Sequence, residues 1–425
     1  MNQERLDLDE WVDGNKERIV ELICELIEIR SENKPPHGNE LSMQIKLDEL
    51  VRQYGFTSEM YALGSVEGLI AHPHYWPGRN YENRPNVFAE KKGLGNGRSL
   101  LFSVHADVVP GVAGQFQPFH PEVRNNRIYG RGSNDMKGGI AAILTAFRYL
   151  QEQDIELKGD VSFESVVDEE MGGANGTLAG RVRQDNADAV IIPEPTNLRV
   201  CPSHLGGVTW RITVKGKGGM GFGGEEVLNP IYGMGHIVRE IEQYHTDMQQ
   251  QKKIASSNGE ILRPNVVLSI IRGSEFEPGM ADGIPETCLI EVWVECLPGE
   301  ELKDVEKEFK ERIEWFCSTH PSVQKFQVEW EQIIRFLPGS VAESELIPIL
   351  SQLVHQESGV DEAQYVAPFA CDAFMFNLHS PSPAIVLGPK GENAHSYDEF
   401  VDIDSVLSLT KIYIKAMLEW CNQEQ

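Results

Sequence analysis

Positive charge is scarce in this sequence: its 425 residues carry 38 lysines and arginines against 65 aspartates and glutamates, a formal net charge of -27. A field of that sign argues against nucleic acid or an anionic membrane surface as partner, while it favours solubility and attracts cations, metal ions included. Long apolar runs are missing as well. No uninterrupted stretch of about 18 apolar residues occurs, so no membrane-spanning helix is expected, and Met1-Asn2-Gln3-Glu4-Arg5-Leu6-Asp7 lacks the apolar core of a secretory leader. Cysteine is sparse and unpatterned. The seven, Cys24, Cys201, Cys288, Cys296, Cys317, Cys371 and Cys421, form no C-x-x-C pair and are odd in number, so they read as small buried or semi-buried side chains in a reducing compartment. A soluble cytoplasmic protein is the expectation. No internal repeat and no low-complexity tract breaks the chain.

What is present is ordinary globular material, 41% hydrophobic and 24% charged, in a chain longer than one hydrophobic core usually serves, so two domains are expected. Apolar residues recur at helical spacing from Glu10 to Glu28, and residues 40–54 read as a second helix ended by Gly55. The segment 72–97, rich in Pro, Gly and Asn, reads as connecting loop, and its His72-Pro73-His74 as a surface turn rather than a ligand pair. Then come a short buried strand at Leu100–Val104, a helix from Gly138 to Gln151, and apolar runs at Val161 and Asp188 that each end in acid. Strands alternating with helices imply an α/β fold, a mainly parallel sheet with helices on both faces. Near His204 the pattern changes to β-α-β-β-α-β: strands at 207–215, 266–271, 288–294 and 323–330, with helices at about 229–246 and 299–318. That order is the ferredoxin-like split unit. The first pattern resumes after Pro338-Gly339 with a helix from Glu343 to His355, a strand at Ala384–Leu387, a loop holding His395 and a last helix from Ile403 to Cys421. The expected organisation is therefore a catalytic α/β domain at 1–204 and 336–425, interrupted by an α+β domain at 205–335.

The stretch Val161–Gly173 ends in Asp168-Glu169-Glu170, three adjacent carboxylates at the rim of a sheet, where open α/β folds bind ligands. Their repulsion needs an offset, from solvent or from a metal ion. Four more candidates, His105, Asp135, Glu194 and His395, follow buried strands or lie in adjoining loops. Each alone has a plain structural reading: a core histidine, a helix cap, a loop acid, a surface histidine. Jointly, two imidazoles and three carboxylates (Asp135, Glu170, Glu194) suit a pair of Zn(II) ions sharing one carboxylate. Asp107, two residues from His105, is placed to accept the other ring N–H and hold the tautomer. Asp135 lies in a glycine-dense turn, Gly130 to Gly139, that lets backbone approach a crowded site.

His105-Ala106-Asp107, Gly132-Ser133-Asn134-Asp135-Met136-Lys137-Gly138-Gly139, Asp168-Glu169-Glu170, Glu194-Pro195 and Ala394-His395-Ser396-Tyr397-Asp398-Glu399 together resemble the M20 metallopeptidase family, over essentially the whole chain. The resemblance implies that His105 and Glu194 hold one zinc, that Glu170 and His395 hold the other, and that Asp135 bridges. Co(II) or Mn(II) could replace zinc. Glu169 would be the general base, Asp107 its catalytic companion, and the reaction removal of an acyl group from an N-acylated amino acid or related amine, as in acetylornithine deacetylase and succinyl-diaminopimelate desuccinylase. A dipeptidase on the same scaffold is the alternative. The inserted domain would act as lid and dimerisation domain, making a homodimer. Two departures bear on this. Met220 stands where the family has a lid histidine that helps bind the oxyanion, so activity is lost, supplied by a substitute donor such as His204 or His236, or replaced by a different role. Asp282 stands where relatives carry Asn against a substrate carboxylate, with Arg263 and Arg272 as possible positive charges nearby.

Overall fold

The computed structural model of the chain describes residues 7–111, 114, 117–172, 175–220, 224–274, 283–337 and 342–424. It divides into two compact units, Met1–Ser203 with Ser340–Ala367 and Cys371–Gln425, and His204–Gly339 with Pro368–Ala370. The first unit opens with helices α1 (Leu8–Gly14), α2 (Lys16–Glu28) and α3 (Leu41–Gln53). The helical stretch expected from Glu10 to Glu28 is thus two helices, because the chain leaves the helix at Asn15, whose side-chain amide donates to the Trp11 carbonyl at 2.8 Å. Strands β1 (Thr57–Ala62), β2 (Pro85–Lys91) and β3 (Leu100–His105) follow, then α4 (Gly138–Glu152), β4 (Val161–Val166), α5 (Gly176–Arg183), β5 (Ala189–Ile192) and β6 (Val200–His204). β2 corrects the reading of 72–97 as loop throughout: Val87 and Ala89 turn inward from a strand that Pro85 begins, a position where its missing N–H costs no ladder bond.

The second unit runs β7 (Gly206–Lys215), α6 (Pro230–Gln251), β8 (Val266–Arg272), β9 (Thr287–Cys296), α7 (Leu302–Thr319) and β10 (Gln327–Phe336). Its sheet has the order β8-β9-β7-β10 with antiparallel neighbours, and Ile212, Ile237, Ile290, Val292, Phe309 and Ile313 pack the helices on one face. The last strand starts at Gln327 rather than Val323, which is buried in the turn that ends α7.

The chain then completes the first unit with α8 (Leu346–Ser358), β11 (Gln364–Ala367), α9 (Ala373–His379), β12 (Ala384–Val386) and α10 (Ile403–Trp420). Its sheet has the order β11-β6-β12-β5-β3-β4-β2-β1. The four central strands β12, β5, β3 and β4 are mutually parallel, and antiparallel partners β6 and β2 flank them. Every residue of β3 and β4 is buried, as in a sheet covered on both faces. Phe102 and Phe163 face Phe147 of α4, with ring centres 5.7 and 6.1 Å apart. Their neighbours Ser103 and Glu164 face the other side, where Glu164 meets Arg181 of α5 at 2.6 Å. A side chain at Gly180 would collide with that carboxylate, so only glycine lets α5 sit so close. Among the described residues no helix is long and apolar enough to cross a membrane, and all seven cysteines are free thiols, five of them buried.

Candidate metal centre

The four parallel strands end at one edge of the sheet, and that edge gathers the chemistry. His105 is the last residue of β3, Asp168, Glu169 and Glu170 follow β4, Glu194 follows β5, and His395 lies in the loop after β12. Asp135 arrives from the turn before α4. A small antiparallel sheet, Glu122–Arg124, Arg127–Tyr129, Phe400–Asp402 and Gly391–Glu392, ties that turn to the hairpin that carries His395. At the tip His395 takes a left-handed backbone conformation, φ +62°.

The two oxygens of Asp135 face different imidazoles. His105 Nε2 is 3.0 Å from Oδ1 and His395 Nε2 is 3.1 Å from Oδ2. On the far side His395 Nε2 lies 2.9 Å from Glu170, and His105 Nε2 lies 3.5 Å from Glu194. Ligand atoms of His105, Asp135 and Glu170, and likewise of His105, Glu169 and Glu194, fall within 4.8 Å of one another. All are buried or nearly so except His395, whose side chain is 53% exposed and marks the side open to solvent.

His105 Nδ1 lies 2.8 Å from the Asp107 carbonyl, with the Asp107 carboxylate at 3.8 Å. A carbonyl only accepts, so Nδ1 holds the proton and the backbone of Asp107, not its carboxylate as expected from the sequence, sets the tautomer. In the neutral ring Nε2 would turn a lone pair toward Asp135 and Glu194 and repel both, so the contact calls for a positive species there, a proton or a metal ion. Burial lowers the pKa of His105, but Asp135, Glu194 and Glu169 raise it well above the ordinary imidazole value. Burial also lifts Glu169, Glu170 and Glu194 above the usual carboxylate range; Asp372 adds to the lift at Glu169, and Asp135 at Glu170 and Glu194. Burial pushes Asp135 the same way, but its bonds to His105 and His395 win and hold it below that range. The charges acting most strongly on these acids are each other's, that of Asp372 and those of the two imidazoles; no lysine or arginine is among them. Two imidazoles and four buried or nearly buried acids, with no ammonium or guanidinium between them among the described residues, form a donor set that fits divalent cations.

Around this centre lie residues whose roles the sequence does not announce. The Asp107 carboxylate accepts the backbone N–H groups of Glu169 and Glu170 at 3.2 and 3.1 Å and the Asn33 amide at 2.8 Å, so it pins the acidic turn from beneath. Asp168, also left-handed at φ +68°, is held by Asn33 at 3.0 Å and Tyr81 at 2.7 Å, with Arg79 and Arg84 each at 3.6 Å. Arg84 in turn is paired with buried Glu40. Glu399 gathers Arg131 at 2.6 Å and the backbone N–H groups of Gly132, Asn134 and Asp135 at 3.0, 3.0 and 3.2 Å. It stood in the sequence as one more acid of a motif. Asp372 is bonded to Thr177, and burial pushes its carboxyl up to about 7.

In the second unit, Met220 is 43% exposed and its N–H donates to Glu225 at 3.1 Å. His204 is fully buried, Nδ1 donates to the Leu205 carbonyl at 2.6 Å, and burial pushes its pKa down to about 4, whereas His236 packs against His320 with ring centres 4.7 Å apart and planes tilted by 41°. Arg263 donates to the Gln249 carbonyl at 2.6 Å, and Arg272 ends β8 in solvent. Asp282 lies outside the described residues.

The profile of peptidase family M20/M25/M40 matches residues 101–419. The chain belongs to this family. Among curated relatives the M20 chain is 24% identical to N-formyl-4-amino-5-aminomethyl-2-methylpyrimidine deformylase of Bacillus subtilis, over 100% of both chains. It is 27% identical to succinyl-diaminopimelate desuccinylase of Methylobacterium radiotolerans, over 78% of this chain and 83% of that one. In fold it is similar to human carnosine dipeptidase 1, with a TM-score of 0.78 and 16% identity over 98% and 99% of the two chains. The M20 chain is a hydrolase of the deacylase and peptidase type, and divalent metal ions are its cofactors.

Proposed function

We propose that this M20 hydrolase is a dinuclear amidohydrolase that removes an acyl group from an N-acylated amino acid or related amine. The observation that carries the reading is Asp135, whose two oxygens address Nε2 of His105 and Nε2 of His395 at 3.0 and 3.1 Å, the arrangement a bridging carboxylate needs. His105 with Glu194, and His395 with Glu170, would complete the two sites; zinc suits these donors, and Co(II) or Mn(II) accept the same set. Bound divalent ions acidify water toward a pKa of about 7 and stabilise charge on the carbonyl oxygen.

The chain's own residues do the rest. The Glu169 carboxylate takes a proton from water as that oxygen bonds to the amide carbon, and the resulting carboxylic acid gives the proton to the amine nitrogen as the C–N bond breaks. A carboxyl lifted by burial and by Asp372 is suited to both halves of that task. Asp107 acts by positioning, holding the N–H groups of Glu169 and Glu170 and the ring of His105.

Within the acyl-amine class, the related-amine arm gains support from the deformylase relatives, whose named substrate is a formylated aminomethylpyrimidine. Asp282 supports it too, because an acid repels a substrate carboxylate. Met220, which offers no donor to an oxyanion, favours a second reading, a cation-binding homologue with weak turnover. A panel of N-formyl, N-acetyl and N-succinyl amines set against dipeptides, run on metal-loaded protein, tests the first reading: turnover of dipeptides alone would make it a dipeptidase, and silence with metal bound would favour the second. Met220→His raising kcat would point to lost activity, and no change would point to another donor. A homodimer is part of the proposal. The edge strand β8 and the start of α6 expose Val267, Ile271 and Tyr232, the last by 75%, and light scattering that found only monomer would remove it.

A further inference from the structure

Away from the acidic centre, three histidines from two distant segments meet on the surface of the first unit. His72 and His74 come from the segment between β1 and β2, and His379 is the last residue of α9. Their ring centres are 4.9 Å (72 to 379), 4.8 Å (74 to 379) and 5.8 Å (72 to 74) apart, with planes inclined by 67 to 87°. Three imidazoles bound to one tetrahedral ion at about 2.0–2.1 Å hold their ring centres roughly 5 Å apart, so these rings have the spacing of such a site once their nitrogens turn toward one point. All three are half-buried, and His72 and His379 line an open groove of about 490 Å³ together with Arg181, Gln184 and Asn186.

We propose that His72, His74 and His379 form a metal site separate from the acidic centre, taking a borderline divalent transition ion such as Zn(II). The donors are right for such an ion, since neutral imidazole is a preferred ligand of zinc, copper and nickel. His74 Nδ1 and His379 Nε2 lie 2.7 Å apart, a spacing that requires one N–H and one lone pair. On binding, that shared proton moves to the other nitrogen of its own ring and the two facing nitrogens part by roughly half an ångström so that both coordinate, with no net change in protonation. His72 Nδ1 accepts the His74 backbone N–H at 3.2 Å, a bond that it gives up when its ring turns toward the ion. Burial, with His74 and His72 adding to it, pushes His379 down to about 4, so that ring is neutral at neutral pH. Solvent from the groove completes the coordination.

The test uses the full chain already loaded at its acidic centre and freed of excess ion. Equilibrium dialysis against Zn(II) is expected to find one further ion per chain in the wild type, absent in His74→Gln and His379→Gln. Affinity there should fall by more than about 100-fold, beyond the 10- to 100-fold typical of losing an outer-shell partner. Both variants are expected to keep wild-type unfolding midpoints and turnover. Asp135→Ala separates the two centres, because it should lose the acidic-centre ions and keep this one. Equal zinc uptake by wild type and the histidine variants would overturn the site, as would Co(II) visible spectra that are identical in wild type and His379→Gln.

Discussion

Replacing Glu399 by Gln tests how the site is held, because the change is nearly isosteric and removes only charge and acceptor capacity. The side chain is 1% exposed and receives four donors, the Arg131 guanidinium at 2.6 Å and three backbone N–H groups. Burial lifts its pKa, while Arg131 and the Gly132 N–H pull it back. Four donors converging on two oxygens leave no place for a carboxyl proton, so the native group is ionised. In the amide, one terminus becomes NH2, and in either orientation it faces two N–H donors. About two hydrogen bonds are lost, at about 1 kcal/mol for a neutral one and about 1.5–3 kcal/mol where charge assists. The guanidinium left without its counter-ion brings the total toward the roughly 3–5 kcal/mol typical of a broken buried pair. Because the Asp135 N–H is one of the four, the loss should also loosen Asp135 and release metal. Urea unfolding with an unchanged m-value, together with metal analysis, reads both effects. Glu399→Gln with the wild-type midpoint and full metal content would refute the reasoning.

Glu169→Gln should keep its metal ions and its fold but lose turnover by about 10²- to 10⁴-fold in kcat; wild-type rates would remove Glu169 from the proton-transfer role. Chelation should lower the unfolding midpoint, since free ion at 100 times Kd stabilises by about 2.7 kcal/mol, and Asp135→Ala combined with His74→Gln should not respond to added metal. Arg181→Ala leaves Glu164 buried without its cation and should cost about 3–5 kcal/mol. Adding Glu164→Ala should recover part of that loss, which a double-mutant cycle on unfolding free energies would measure.

The carboxyl edge of the sheet is legible in the sequence because parallel strands buried on both faces are written as unbroken apolar runs, and the runs at Leu100, Val161 and Ala189 stop abruptly at His105, Asp168 and, past Pro193, Glu194. The βαββαβ order of the second unit is legible for a related reason: its strands alternate and its helices repeat at helical spacing. β2 is hidden because the Pro, Gly and Asn around it carry a stronger loop signal than Val87 and Ala89 carry a strand signal. Glu399, Arg84 and Asn33 are hidden for a different reason. Each is one side chain whose partner is chosen by the fold, 268 residues away for Arg131 and Glu399 and 44 for Glu40 and Arg84, and no local period records such a pairing. The same holds for the three surface histidines. His72-Pro73-His74 reads as a turn until α9 brings His379 against it.

The central claim is that Asp135, His105, Glu170, Glu194 and His395 together hold two divalent ions. Elemental analysis of the His74→Gln variant after saturation with Zn(II) and removal of excess addresses it without interference from the surface histidines. Two ions per chain, both lost when Asp135→Ala is added to this variant, is the predicted result; a chain that retains none under saturating supply would contradict it.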